Sequence, residues 1–307
     1  MVATLSLPPL PPSLAALLGP HLAEQTGPGP GAFRTVTLEG LRTWADAENR
    51  PLRDVMLAGL AHDVWPLRFA KNRGWLAAPE QAILLRSRAF IAGCGGLGGH
   101  AALLLARAGV GAFTLCDPDT FSESNLNRQL ACREDRIGMN KALAVALDIA
   151  ATASHADVQS HDVLVTGGNA ASLIGAADVA LDCLDSIPAR IILERAARGA
   201  GIPFIHAALA GQEGFTLIAL PDQPPAMARL YPDAAQDMPD AGAEARLGVP
   251  APTAAATAAL QAAAACAALL GRGPGRGDAR QFLFHLDLSV PELNRLSLDA
   301  TSRADQP

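Results

Sequence analysis

Residues 89–108 constrain this chain more than any other stretch. A short apolar run, Ala89-Phe90-Ile91-Ala92, leads into Gly93-Cys94-Gly95-Gly96-Leu97-Gly98, and a helical stretch from His100 to Ala108 follows, closed by Gly109. Apolar at every position, the run suits a strand buried on both faces of a parallel sheet. The glycines fit G-x-G-x-x-G between a strand and a helix. Gly93 permits the tight turn, Gly95 and its neighbour Gly96 let an anion approach the backbone, and Gly98 lets helix and strand pack closely. The start of the next helix adds unpaired N–H groups and a positive dipole end. The stretch therefore implies a phosphate-binding turn; the alternative is a glycine-rich packing turn with no ligand.

The same alternation continues downstream. Strands are expected at Ala112–Cys116, Asp157–His161, Val179–Cys183, Pro203–His206 and Phe215–Leu220, and helices at Lys141–Ala151, Ala170–Ile174 and Ile187–Arg198. An Ala-rich helix follows at Ala254–Leu270, and the alternating Phe282, Phe284, Leu286 and Leu288 suit a half-buried strand. The pattern predicts an α/β fold: a doubly wound, Rossmann-like, mostly parallel sheet with a C-terminal antiparallel extension. Residues 1–62 are expected to be a small, mostly helical or irregular appendage, with helices over Ser13–Gln25 and Leu38–Leu60 on either side of Gly27-Pro28-Gly29-Pro30-Gly31. Residues 63–300 are expected to form the main domain, crossed by a Pro-, Asp- and Gly-rich loop over 221–252. Loops of that length are usually functional or mobile.

Composition narrows the class. Half of the 307 residues are hydrophobic and the formal net charge is only −6, which excludes disorder for the bulk of the chain. The acidic balance disfavours nucleic acid or an anionic membrane as a partner held by charge. Five scattered cysteines with no C-x-x-C pair suit reduced thiols in the cytoplasm, with neither a disulfide framework nor a zinc site. The N-terminal stretch lacks a basic region and is broken by prolines, a poor signal peptide. The Ala-rich helix is short and weakly apolar for a membrane span, so a buried helix is expected there.

The residues after the second strand carry the chemistry. Asp117 lies 24 positions beyond Gly93, where a carboxylate accepts hydrogen bonds from a ribose; an Asp-Pro pair also suits a plain turn. Ser124-Asn125-Leu126-Asn127-Arg128-Gln129 and Gly138-Met139-Asn140-Lys141 follow. A nicotinamide dehydrogenase gains little from these cations. An enzyme that breaks a triphosphate needs them to offset charge as the leaving bond lengthens. Arg128 offers a planar fork and Lys141 a point charge. Taken singly, Arg128 could be a surface arginine and Lys141 a solvated helix residue.

These motifs, together with Asp182-Cys183-Leu184-Asp185-Ser186 and Gly248-Val249-Pro250-Ala251-Pro252, resemble the ThiF/MoeB/HesA family, bacterial relatives of the ubiquitin-activating enzymes. The resemblance runs from about Arg68 to Leu298. It implies an enzyme that uses MgATP to adenylate the C-terminal carboxylate of a small ubiquitin-like carrier ending in Gly-Gly, and that works as a homodimer. Carried across, Asp117 would hold the ribose, Asn125, Gln129, Arg128 and Lys141 would meet the nucleotide and its phosphates, and Asp185 would bind Mg²⁺. Asp185 could instead cap the following helix.

The departures are informative. Where the family has an Arg-aromatic-x-Arg pattern that reaches the partner's nucleotide, this chain has Arg68-Phe69-Ala70-Lys71-Asn72-Arg73. Lys71 keeps the charge without the fork, and Arg73 is the alternative. Ser186 stands in place of the commoner Asn, and the two C-x-x-C pairs of zinc-bearing members are missing. The crossing loop contains no cysteine, which implies adenylation with no covalent enzyme intermediate. Other readings are a scaffold that has lost catalysis, or activation of a tRNA-borne or peptide carboxylate.

Overall fold

The apolar strands of the sequence pair as one sheet. A computed structural model describes residues 10–27, 29, 31–232, 243–272 and 281–298. Residues 233–242 of the crossing loop lie outside them, as do residues 1–9, 28, 30, 273–280 and 299–307. In chain order the elements are α1 (Pro12–Leu18), β1 (Leu22–Thr26), β2 (Ala32–Val36), α2 (Leu38–Glu48), α3 (Leu52–Ala61), β3 (Val64–Pro66), α4 (Ala78–Arg86), β4 (Arg88–Ala92), α5 (Gly98–Ala108), β5 (Ala112–Cys116) and α6 (Lys141–Thr152). Then follow β6 (Asp157–His161), α7 (Ala170–Ile174), β7 (Val179–Asp182), α8 (Ile187–Gly199), β8 (Phe204–Ala210), β9 (Glu213–Ala219), α9 (Met227–Leu230), α10 (Ala243–Leu247), α11 (Ala251–Leu269), β10 (Phe282–Asp287) and β11 (Glu292–Ser297).

The main sheet has the order β11-β10-β9-β8-β7-β4-β5-β6. β6, β5, β4, β7 and β8 are parallel, and β9, β10 and β11 extend the sheet antiparallel. This is the expected Rossmann-like arrangement. Residues 89–92 and all of β5 and β7 are buried because helices cover both faces. β6 is a polar edge strand. From β4 the chain first builds outward through β5 and β6, then returns to the other side at β7. That reversal opens a crevice at the carboxyl ends of the strands.

The Ala-rich helix α11 is long and apolar enough to cross a membrane by length and composition, but here it packs on α5, β7, β8 and β9. Thr253, Ala254, Thr257, Ala258, Gln261, Ala262 and Ala265 form its buried stripe. Small side chains let it approach the sheet so closely that a Cβ at Gly214 of β9 would overlap the Thr257 hydroxyl. Within the stripe, Gln261 donates to the carbonyls of Asp182 (2.8 Å) and Ile205 (3.0 Å).

The N-terminal region departs from expectation. The helix expected over 13–25 stops at Leu18, and β1 instead pairs antiparallel with β2 across the glycine-proline run. The helix expected over 38–60 is two helices, because Asn49 takes a left-handed conformation (φ 48°) and Pro51 follows. β3 adds parallel to β2, so the small sheet continues past residue 62 to Pro66. The buried side chains of this sheet and of α2 and α3, Phe33, Trp44, Val55 and Trp65 among them, belong to the same core as Ile91, Leu105 and Phe113. The expected crossing loop contains two short helices, α9 and α10.

These N-terminal elements close the amino ends of the parallel strands. Arg53 donates to the Gly111 carbonyl just before β5 (2.9 Å). Asn72 and Gln81 both donate to Ala108 O at the end of α5 (3.2 and 2.9 Å). Arg68 donates to Thr152 O (3.4 Å) and lies 3.3 Å from His155 Nδ1, just before β6. Burial, with Arg68 and Arg53 nearby, pushes His155 down to about 4, so this ring is neutral inside the fold.

Candidate functional site

A cleft of about 390 Å³ opens at the carboxyl ends of β4, β5 and β7. Gly93, Gly95, Gly96, Asp117, Asn125, Arg128, Gln129, Lys141 and Asp185 all line it. Gly93 has φ +87°, which an L side chain rarely adopts. At Gly98 a Cβ would overlap the Gly93 carbonyl, so this glycine lets α5 fold back against the turn and does not face the cleft. Gly95 and Gly96 keep open contact with Gln129 and Arg128.

The loop from Asp117 to Asn140 is closed by its own backbone and by Asn140. The Asn140 amide donates to the carbonyls of Asp117 (2.9 Å) and Asp119 (3.2 Å), and its oxygen accepts from Leu143 N, capping α6. This fixes Lys141 as the first residue of the helix, where Nζ pairs with Asp119 Oδ2 at 2.8 Å. Arg128 is held over its own turn by Ser124 O and Asn127 Oδ1. Asp117 accepts from the N–H groups of Cys94 (2.6 Å) and Asp119 (2.9 Å), so it locks the glycine turn to the end of β5. Burial raises its pKa, and those two N–H bonds and Lys141 offset part of the rise.

The Gln129 carbonyl oxygen is buried and has no partner among the described residues. A buried acceptor left open beside the glycine turn fits a hydroxyl or amino group of a bound nucleotide. Asp185 follows β7; the N-cap of α8 is Ser186, with no side-chain cap bond, so the capping role considered for this turn is absent. Hard oxygen donors suit Mg²⁺, which takes one or two carboxylates and completes its shell with phosphate and water. Asp185, with Glu244 beside it in the cleft, fits that demand. No cluster of three or more His, Cys, Asp or Glu is set to hold a metal among the described residues.

Several lining residues have no site role assigned by the sequence. Val163, Leu164 and Val165 after β6 and Pro118 after β5 supply an apolar wall; an apolar run just after a polar strand is the signal for it. Arg190, Leu209, Glu244 and Val249 complete the other side. Burial raises the Glu244 carboxyl, with Arg190 and Arg128 opposing and Asp185 reinforcing the rise.

Lys71 and Arg73 are not at this chain's cleft. Lys71 is exposed on the turn Leu67–Asn72, and the Arg73 guanidinium stacks over the Phe33 ring, 4.4 Å from its centre. The cysteines are poor nucleophiles. Burial raises every one of the five thiols, Cys116 and Cys266 to about 12 and Cys94 and Cys183 strongly.

The ThiF family matches residues 69–306, a span that includes every lining residue of the cleft. The chain belongs to the ThiF family. Among curated proteins, it is 34% identical over 174 residues to the SAMP-activating enzyme E1 of Haloferax volcanii, covering 56% of this chain and 64% of that one. It is 36% identical over 149 residues to the sulfur carrier protein ThiS adenylyltransferase of Bacillus subtilis, covering 48% and 44%. The chain thus spans less than two thirds of these relatives' lengths. Among solved structures, E. coli MccB with ATP superposes with a TM-score of 0.61 at 19% identity, over 77% of this chain and 73% of that one. The E. coli tRNA threonylcarbamoyladenosine dehydratase TcdA gives 0.58 at 24%, over 68% and 96%. These likenesses bear on the fold, and the N-terminal elements before residue 69 lie outside the family match.

Proposed function

We propose that this chain is an ATP-dependent adenylyltransferase that activates the C-terminal carboxylate of a small ubiquitin-like carrier ending in Gly-Gly. The observation that carries the proposal is the convergence of the glycine turn, Arg128, Lys141 and Asp185 on one cleft at the sheet's switch point. The names of the curated relatives, a carrier-activating enzyme and a sulfur-carrier adenylyltransferase, support the substrate class.

In this reading ATP lies with its adenine against Pro118 and Val163–Val165, its ribose by Asp117 and Gln129, and its phosphates over the glycine turn. A carrier carboxylate oxygen forms a bond to the α-phosphorus as the bond to the bridging oxygen breaks. The products are an acyl-adenylate and pyrophosphate. Positioning and charge neutralisation suffice for this displacement. Lys141 must leave Asp119 to meet the phosphates, and Arg128 must turn in from Ser124. Asp185, with Glu244, would hold Mg²⁺, which supplies positive charge on the phosphate oxygens. Because no thiol is activated, the adenylate is handed directly to an acceptor outside the chain.

The enzyme is proposed to be a homodimer in which Lys71 or Arg73 reaches the partner's nucleotide. Leu143 and Leu147, one turn apart on α6, are exposed, as are Leu130 and Ile137 in the preceding loop. An apolar surface of this kind beside the cleft suits a subunit contact. A monomer that stays active at micromolar concentration in sedimentation would refute the dimer.

Carrier-dependent ATP–pyrophosphate exchange tests the activity. Exchange that requires an intact Gly-Gly tail supports the proposal. Exchange driven only by a peptide or tRNA-borne carboxylate would replace the carrier, and ATP binding without any exchange would point to a scaffold.

A further inference from the structure

The support for Asp185 runs from the cleft wall to the end of α9. Helix α8 carries two buried charges one turn apart, Arg190 and Glu194. The Glu194 carboxylate accepts from the N–H groups of Ala226 (2.5 Å) and Met227 (3.1 Å), holding the start of α9. Arg190, on the same face of the helix, reaches toward its N-terminal end. Its Nε and Nη2 donate to the Leu184 carbonyl at 3.1 and 2.7 Å, and its Nη1 donates to the hydroxyl of Tyr231, the residue after α9, at 2.9 Å.

The other side of Leu184 is fixed too. Its N–H donates to Asp182 Oδ1 at 3.0 Å, while Asp182 Oδ2 lies 2.8 Å from Nδ1 of the buried His206. The His206 Nε2 faces the Tyr231 hydroxyl at 3.4 Å. The two peptide groups that flank Leu184 are thus gripped from β7 and from α8, beyond the last ladder bonds of β7. Asp185 is the next residue. Burying a guanidinium is costly unless its donors are used, and here a planar fork spans the Leu184 carbonyl and the Tyr231 hydroxyl. Burial would lower this guanidinium's pKa, but Asp182, Tyr231 and Glu244 outweigh it and keep the charge in place.

We infer that Arg190, braced by Tyr231, is a positioning residue that holds the Leu184–Asp185 peptide so that the Asp185 carboxylate is preset for the metal of the nucleotide complex. This inference rests on the proposed adenylation site and adds to it a link between Asp185 and the end of α9. Groups that orient a metal-binding carboxylate typically change metal affinity by about 10- to 100-fold when removed.

The test uses the full chain with a non-hydrolysable ATP analogue, Mn²⁺ as the probe and electron paramagnetic resonance as the readout. Arg190→Lys is expected to weaken Mn²⁺ binding to the enzyme–analogue complex about tenfold, while analogue affinity in the absence of metal stays within about twofold. Tyr231→Phe, which removes one hydroxyl, is expected to shift the same constant in the same direction by about threefold, and carries the test if Arg190→Lys fails to fold. Wild-type Mn²⁺ affinity in the folded variants would overturn the inference. So would a loss confined to metal-free analogue binding, which would make Arg190 a direct phosphate contact. Failure of the wild-type protein to bind the analogue would instead defeat the adenylation reading itself.

Discussion

The two ends of the parallel sheet are built from the same strands and handle charge in opposite ways. At the carboxyl ends, Lys141, Arg128, Asp117 and Asp185 face a cleft and are only partly matched by neighbours. At the amino ends, Arg53, Arg68, Asn72 and Gln81 spend their donors on backbone carbonyls, and His155 is kept neutral. One end keeps its polar groups available for a ligand, whereas the other uses them to close the fold. Variants should therefore divide between effects on turnover and effects on stability.

The largest effect is expected in the cleft. Lys141→Ala and Asp185→Asn should each reduce pyrophosphate exchange by about 10²–10³-fold, as when a group that stabilises developing charge is removed. Neither should shift the thermal midpoint, and a fall in stability parallel to activity would break the division between the ends.

Next is the closed end. His155 has a folded pKa of about 4 against 6.5 when free. The unfolded chain therefore binds the proton first, and stability falls as pH drops from about 6.5 toward 4 by about 3 kcal/mol from this ring alone. Urea titrations across that range should show a shallower loss in His155→Gln, with exchange at neutral pH unchanged. Asp117 at the cleft has the opposite sign. Its raised pKa means that its ionisation in the fold works against stability as pH rises through that value, so Asp117→Asn should flatten a drift in the other direction.

The glycine turn joins the two behaviours. Gly98→Ala places a Cβ on the Gly93 carbonyl and should cost about 2–3 kcal/mol by denaturant titration. Gly96→Ala has 3.7 Å to the nearest side-chain atom, Arg128 Cγ, so it should fold normally and lose nucleotide binding instead. Equal stability of the two variants would remove the packing role given to Gly98. The smallest effect is expected at Gln261 of α11. Replacing it by Leu leaves the Asp182 and Ile205 carbonyls without its amide and should cost about 1–2 kcal/mol, with at most a modest change in exchange.

The legible parts were those with local causes. β4, the glycine turn, α5 and β5 follow one another in 29 residues, Arg88 to Cys116, and each signals its state by apolar runs and glycines. Lys141 and Arg128 sit on the same continuous segment, so the phosphate side of the cleft could be read from one motif after another. β1 carries no local signal, because Leu22-Ala23-Glu24-Gln25-Thr26 shows no alternation; its partner β2 and the turn between them define it. β11, with every residue exposed, needs no apolar alternation, and Glu292-Leu293-Asn294-Arg295-Leu296-Ser297 shows none. Asn49 and Pro51 did announce the break between α2 and α3, but the apolar periodicity on both sides hid it. Arg190, Tyr231, His206 and Glu244 were not legible as site residues, because strands and helices far apart in the chain bring them together. A charged residue in a Pro- and Gly-rich loop carries no signal of where it will fold.

The Lys141–Asp119 contact has one more consequence. The lysine already has a tethered counter-ion, so a nucleotide that binds as proposed would exchange an attached anion for its own phosphates and release few ions to solution. Affinity for the nucleotide should accordingly vary little with ionic strength. In the proposed reaction, once only a monophosphate is left the aspartate is at hand to reclaim the lysine and hasten departure of the spent nucleotide.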